Sequence, residues 1–578
     1  MRRSLSAVDA AFFIMVVLVP LAWAKFFIAE FTLAKFVTLN AALCLAAWGG
    51  VRRPEALAAG KTALDAPLLA GLFVACLSAA ASSDPRTSLL GRYDSYVYGL
   101  WELTLLAAVV QLAARSARGR EAGRARWLIW SAALVGGYGV LQKFGFDPVF
   151  HFKSLPLGGR AVSSLGSPVD LGALLALAWP VSLWRVDSDR RPLSAAASIL
   201  IAGGLIASGS RGAWLGAGVG AAAYWFMTRR RPGESLRPSL GVALTAVAAA
   251  AAWSYRPGAT VADLARREVW GTAWKAFVRN PWIGAGSDGF EDAFRLLRSE
   301  HYAALMTSEH NQAYPHNDIL QVLASLGLLG AAVYAWLLGA LAKAARRALE
   351  PQASRPLAAG LAAGTLALWV NLEVNPVALE VLVFAAVASG LLVSLSSAVE
   401  TPRRLPRPLF LAAGALATLS LACALGMARA DVLFKGGARA QAAGDFNSAR
   451  FLFARARKAA PCELSYNLAE VNALGDWINA SHDVSERLGL LALAEADGRE
   501  AVSCHPRQVN AHYIAGAAAR MHYDLGFKDQ LAVAAREFDA ALALDPLFEP
   551  LLSVRLVVAR LMGDVRRVSE LERLLGVR

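Results

Sequence analysis

A chain of 578 residues that is 56% hydrophobic and only 18% charged, with a mean hydropathy of +0.43, is too apolar for an ordinary soluble protein. Its formal charge of +14 could point to nucleic acid, but the 19 Lys or Arg and 19 Asp or Glu between Arg429 and Arg578 cancel, so the whole excess belongs to residues 1–428. There the basic residues fill short loops between apolar stretches, where they orient a protein in a bilayer; nucleic acid is not an implied partner.

In chain order the apolar segments fall near residues 8–24, 31–49, 66–82, 97–114, 127–141, 168–184, 193–208, 212–228, 239–254, 317–342, 357–372, 376–398 and 408–428. Each approaches the length that crosses a hydrocarbon core. The expected fold is therefore all-α, a polytopic bundle of about 12–13 spans. Connections numbered alternately from the N-terminus differ sharply: one set carries 24 Lys or Arg, among them Arg52-Arg53, the run Arg115 to Arg126 and Arg346-Arg347. The short connections of the other set carry seven: Lys25, Arg86, Arg92, Lys143, Lys153, Arg160 and Arg211. The basic set marks the cytoplasm, so the N-terminus is expected inside and everything after the last span outside. The first segment has no small-residue cleavage motif and is read as a span that stays.

Polar clusters of the less basic face follow in order: Ser83-Asp84-Pro85-Arg86 with Gly91-Arg92-Tyr93, Arg160 with Ser163-Ser164-Leu165-Gly166-Ser167-Pro168, Ser208-Gly209-Ser210-Arg211-Gly212, Arg266-Arg267 in the long loop 255–316, and His316-Asn317-Asp318. Arg211 lies between two apolar stretches with almost no loop, a position costing about 2.5–3.5 kcal/mol at mid-membrane and less near the interface, so an anionic partner is expected. A guanidinium fork suits phosphate, with snorkelling to headgroups the alternative. Ser208 and Ser210, flanked by glycines, would let backbone approach such a ligand. Ser163, Ser164 and Ser167 could greet an anion at a helix start or simply cap the helix. Residues 261–279 are predicted helical, ended by Asn280-Pro281 and the Gly284–Gly286 turn; Trp270, Trp274 and Phe277 give this helix an aromatic face that could lie on the membrane surface or against other spans, with packing the expected role. His316 opens a span and could act as a base or stand beside a cap, with Asn317 and Asp318 orienting it or capping.

Cys44, Cys76 and Cys423 fall in spans and read as packing residues. Cys462 and Cys504 lie in the tail and are expected as unpaired thiols held apart in adjacent repeats, although an oxidising location would let them pair. In residues 429–578 the spacing Gly444, Phe446, Ala449, Phe453, Ala456, Pro461 matches the second half of a tetratricopeptide repeat. The ending recurs as Ala494, Ala501, Pro506 and as Ala534, Phe538, Ala541, Pro546, and Ala515-Gly516 resembles the small pair of a first helix. Insertions are expected around 476–483 and 525–529. About three helix pairs would then offer a concave surface to a protein or glycan partner, a generic helical bundle being the plainer alternative.

The order of Tyr138-Gly139-Val140-Leu141-Gln142, Asp147-Pro148, Arg160 with its serine turn, Ser-Gly-Ser-Arg211-Gly, Trp270 with Pro281-Trp282-Ile283-Gly284-Ala285-Gly286, and His316-Asn317-Asp318-Ile-Leu-Gln321 before Gly327 to Gly330 resembles the O-antigen ligase and polymerase family of membrane glycosyltransferases. Ser325, where relatives carry an acid, and Ser167, where asparagine is common, depart from the pattern. The resemblance implies a GT-C-like bundle over residues 1–428 in the bacterial inner membrane, with a tetratricopeptide-like domain, 429–578, in the periplasm. It implies transfer or polymerisation of a glycan from undecaprenyl pyrophosphate to an acceptor hydroxyl, on glycan, lipid or protein, with no cofactor and no metal. Arg211, Arg267 and His316 carry over as catalytic residues; Arg160, Arg266, Ser208, Ser210, Asn317 and Asp318 are substrate-binding candidates. Protein O-oligosaccharyl transfer and transport of a lipid-linked glycan are the alternatives.

Overall fold

The computed structural model describes residues 6–53, 61–116, 118–151, 155–189, 191–228, 261–396 and 406–576. Among these residues the protein is helical throughout and has no strand. The apolar part comprises α1 (Ala7–Leu21), α2 (Thr32–Arg52), α3 (Asp65–Ala81), the short α4 (Pro85–Leu90), α5 (Leu100–Ser116), α6 (Glu121–Lys143), α7 (Pro168–Asp189), α8 (Pro192–Ser208) and α9 (Arg211–Thr228). The long loop contains α10 (Val261–Arg279), α11 (Phe290–Leu297) and α12 (Glu300–Met306), and α13 (Asp318–Leu349), α14 (Arg355–Leu372), α15 (Leu379–Ser396) and α16 (Arg407–Ala442) follow. Five of these, α2, α7, α13, α15 and α16, are long and apolar enough to cross a membrane, and α1, α3 and α8 are shorter apolar helices. This is a polytopic helical membrane protein. The expected span at 239–254, like Arg2-Arg3, Lys153 and Arg229 to Arg231, lies outside the described residues. Every other expected segment falls on a helix.

Between apolar helices in lipid there is little hydrophobic force to exploit, so close backbone approach does the packing. The helix α7, buried from Leu171 to Trp184, sits at the centre, against α6, α8, α9 and α14. A methyl group at Gly216 of α9 would lie 2.2 Å from the Ala367 carbonyl of α14, and one at Gly364 of α14 would lie 2.4 Å from the Leu177 carbonyl of α7. These glycines are what let three helices share one axis of contact, and they fix the height of the α9 start relative to the α14 end.

In the tail, α16 runs without a break through residues 428–429, where the domain boundary was expected. It packs on α17 (Phe446–Ala459), followed by α18 (Leu464–Ala480), α19 (Val484–Cys504), α20 (Val509–Asp524), α21 (Gln530–Leu544), α22 (Glu549–Met562) and α23 (Val565–Leu574), each against the next. One crossing recurs: Gly437 receives the ring of Phe453, and Gly516 receives that of Phe538, each 2.6 Å from where a Cβ would stand. Pro461, Pro506 and Pro546 stand in the turns after α17, α19 and α21. Around 476–483, where an insertion was expected, α18 and α19 run to 17 and 21 residues and meet at the short connection 481–483.

The expectation of free thiols is corrected: Cys462 and Cys504 are disulfide-bonded, with Cα atoms 5.6 Å apart. The turns after α17 and α19 lie side by side, because stacked hairpins place equivalent turns together.

The tail is bonded to the loops at its own end of the bundle. Arg298 donates to Asp545 at 2.6 Å with both side chains buried, Arg86 pairs with Glu463 at 2.7 Å, and His505 Nδ1 meets Asp84 at 3.2 Å. Gln508 donates to Asp292 at 2.8 Å and to Asp84 at 3.2 Å. The first polar cluster therefore serves tail docking: Asp84 and Arg86 bind the tail, and Arg92 pairs with Glu291 and donates its amide to Asp288.

Candidate active site at the membrane boundary

Arg211 begins α9 and is exposed, and the α9 N-terminus adds its partial positive charge. Beside it, Arg160 Nε donates to the Ser208 carbonyl at 2.8 Å, lying across the turn that joins α8 to α9. Gly209 takes the left-handed conformation there (φ 60°), and a Cβ on it would stand 3.2 Å from Arg160 Nε. Burial, and then the charge of Arg211, lower the Arg160 pKa. Among the described residues neither guanidinium meets a carboxylate. Two cations held together without a counterion are an anion site in waiting.

The serines expected to share that site hold its backbone instead. Ser208 is fully buried; its hydroxyl donates to Leu205 O at 2.7 Å and accepts the Ser210 amide at 3.2 Å, and Ser210 is buried too. Ser163 and Ser164 are buried and donate to the carbonyls of Val135 and Pro20. Ser167 caps α7 through the amides of Val169 and Asp170. Small hydroxyls satisfy turn backbones as readily as they bind ligands, and here the backbone claims them. Gly212 likewise faces protein: a Cβ would lie 2.4 Å from Asn375 Nδ2.

That asparagine leads to the histidine. Asn375 and His316 line one small hollow with Tyr98, Asn317 and Gln321. His316 has φ 55°, which turns its ring out of the line of α13, and its Nε2 lies 3.2 Å from Gln312 Oε1. Gln312 Nε2 in turn donates to the buried Tyr302 hydroxyl at 3.0 Å. With the amide so oriented, the neutral imidazole donates from Nε2 and keeps the Nδ1 lone pair free. Burial, and then the charge of Arg266, push His316 down to about 4, so the ring is uncharged near neutrality.

Of the readings open for Asn317 and Asp318, ligand contact, orienting the histidine or capping, Asn317 takes the cap. Asn317 Oδ1 caps α13 through the Leu320 amide, and its Nδ2 donates to Glu373 Oε2 at 3.0 Å. Asp318 accepts the hydroxyl of Tyr334. On α10, Arg266 is the cation whose charge reaches His316, while its neighbour Arg267 is exposed. Residues one apart on a helix point about 100° away from each other, so the two cannot share one direction. The expected packing of Trp270 and Trp274 is corrected: both rings are exposed, and the buried face of α10 is Ala265, Val269, Ala273 and Ala276.

Sequence reasoning passed over four supports. Gln312 fixes the His316 tautomer, and Asn371 and Asn375 hold each other behind Arg211 at 3.1 Å. Lys35 makes a buried ion pair with Glu380 at 2.9 Å and donates to the Leu165 carbonyl, pinning the turn after Arg160. Polar residues at span ends, such as Asn371, Glu373 and Asn375, carried a signal; Lys35 inside an apolar run carried another.

From the His316 hollow an apolar cavity of about 360 Å³ extends between α3, α5, α13, α14 and α15. Leu68, Leu72, Leu106, Leu337 and Leu382 are among its walls; Tyr98, Asp288, Asp318 and Gln321 are among its polar lining, and Gln321 Oε1 has no hydrogen-bond partner among the described residues.

No curated protein matches the chain. A family model described as O-antigen ligase matches residues 196–335, which run from α8 to α13 and contain Arg211, Arg266, Arg267 and His316. Over this segment, about a quarter of its length, the chain is similar to the O-antigen ligase family.

Proposed function

We propose that the protein transfers or polymerises a glycan from undecaprenyl pyrophosphate to an acceptor hydroxyl at the outer face of the bacterial inner membrane. The observation that carries this reading is the pair Arg160 and Arg211, close together at the α8–α9 turn and without a carboxylate partner among the described residues, in a structure whose candidate base His316 is uncharged near neutrality. The pyrophosphate oxygens bind between these guanidiniums and the α9 N-terminus. The lipid tail occupies the apolar cavity that begins beside His316. Arg266 adds charge next to the histidine, and Arg267 draws the donor in from the leaflet.

The acceptor hydroxyl attacks the anomeric carbon in line with the leaving group. Its proton passes to His316 Nδ1 while the C–O bond to the pyrophosphate breaks, and inversion results. Negative charge grows on the leaving pyrophosphate, where fixed guanidiniums stabilise it more than they stabilise the bound donor. No nucleotide sugar enters the reaction. The tail, residues 429–578, is read as a tetratricopeptide-like periplasmic domain that presents an acceptor or a partner protein.

The test supplies purified protein with undecaprenyl-pyrophosphate glycan and follows carrier release. Lengthened product on the carrier identifies a polymerase, and product on a lipid or protein acceptor identifies a ligase. Translocation without bond cleavage would replace this reading with transport. Full turnover in Arg211→Ala or His316→Ala would overturn the site.

A further inference from the structure

Helix α10 presents a ridge of Trp270, Trp274 and Val278, all exposed, opposite the alanine-rich face packed on α13. Trp282 follows, exposed as well. Its height in the membrane can be read from α13. The Leu328 and Leu329 amides donate to the carbonyls of Pro281 and Trp282 at 2.8 and 3.1 Å, beside Gly327, where α13 kinks. A hydrocarbon core takes about 20 helical residues. Counted back along α13 from Arg346, that length ends at Leu326, so Trp282 sits at the boundary on the tail side of the bilayer. Leu328 and Leu329 are exposed there too, which makes the ridge continuous with the lipid-facing surface of α13.

One flank of the ridge is basic: Arg267, Lys275 and Arg279 are exposed, and Asp263 is the acid of the first turn. Indole rings at a membrane boundary with cations beside them are the pattern of a helix lying in the headgroup layer. We infer that α10 is an interfacial helix whose tryptophan ridge is immersed in the tail-side leaflet and whose basic flank binds the phosphates of anionic phospholipid. Arg266 leaves the same helix on its other side toward His316, so the lipid surface sets the position of a cation at the candidate site.

The test uses full-length protein with Cys44, Cys76 and Cys423 replaced by Ala and the tail disulfide kept. An NBD fluorophore is placed at Trp270→Cys, Trp274→Cys or Val278→Cys in turn, with Val565→Cys on the last tail helix as reference. The protein is held in nanodiscs of phosphatidylethanolamine with or without phosphatidylglycerol, and nitroxide lipids label either the headgroup or the deep chain. All probe positions are exposed, and Val278→Cys leaves the Trp274–Phe277 ring contact in place. The α10 probes should lose fluorescence mainly to the headgroup nitroxide and far more than the reference does. Phosphatidylglycerol should deepen that loss, and Lys275→Gln with Arg279→Gln should abolish the deepening. Quenching no greater than at the reference would mean water or protein covers the ridge, and quenching greatest from the deep nitroxide would mean a buried segment. Either result overturns the inference, and a phosphatidylglycerol effect that survives the double substitution overturns the basic flank.

Discussion

At the scale of single residues, His316 makes the sharpest prediction. An ordinary imidazole protonates near 6.5, whereas burial and Arg266 hold this one near 4. A general base works in its neutral form, so kcat/KM of the free enzyme should stay level as pH falls through 6.5 and drop only near 4. Arg266→Gln removes one of the two causes and should move the acidic limb part of the way toward 6.5. A limb at 6.5 in the parent protein would refute the assignment. Arg211 gives a second prediction. Its charge acts on a pyrophosphate that becomes more negative in the transition state, so Arg211→Ala should lower kcat by about 10²–10³-fold. Arg211→Lys should recover little, because a point charge replaces a fork.

At the scale of elements, the segment Pro281–Gly286 and the kink of α13 form one interlocked unit. Gly327 has φ 65°, and a Cβ on it would stand 2.4 Å from the Trp282 carbonyl carbon. Gly327→Ala should therefore destabilise the protein by more than about 2 kcal/mol, since both the backbone conformation and the space are denied to alanine. Thermal unfolding in detergent measures this, with Gly271→Ala, where nothing lies within 4 Å, as the control. Much of this level was legible in the sequence. The expected helix 261–279 has the bounds of α10, and Asn280-Pro281 ends it, because proline and glycine act on their own backbone. The supports of the site were less legible. Lys35 and Glu380 are 345 positions apart and Gln321 faces a cavity, and no local pattern encodes partners so distant. The serines left two readings open for a different reason: a hydroxyl that serves a turn and one that serves a ligand look alike in sequence, and only burial separates them.

At the scale of the molecule, the tail is fixed by groups whose charges depend on pH. Asp545→Ala would leave Arg298 buried without its partner, a loss of about 3–5 kcal/mol in docking. The pairing around Asp84 titrates. Although burial opposes it, Asp84 raises the His505 pKa above 6.5, so the contribution of that pair is complete below 6.5 and disappears as pH climbs through the raised value. Burial, and then Glu291 and Asp84, push Asp292 up to about 7 from its ordinary 3.8. A docked tail keeps a proton there that a released one gives up between about 4 and 7, so this term also weakens docking as pH rises. Asp84, held below the usual range by His505 against the effect of burial, withdraws its share only as pH falls under 3.8. The three signs together make docking tighter at pH 5 than at pH 8. Spin labels at Glu300→Cys on α12 and Arg536→Cys on α21, with Cys44, Cys76 and Cys423 replaced, would report it. Pulsed EPR should give a narrow distance distribution at pH 5 that broadens at pH 8, and His505→Gln should remove the part of the change that lies above 6.5. Because His505 follows Cys504 and bonds to the Cys462 carbonyl at 2.8 Å, reducing the disulfide should broaden the distribution at both pH values. A distribution that ignores both pH and reductant would mean that the pairs Arg298–Asp545 and Arg86–Glu463 hold the tail in place without the contacts around Asp84.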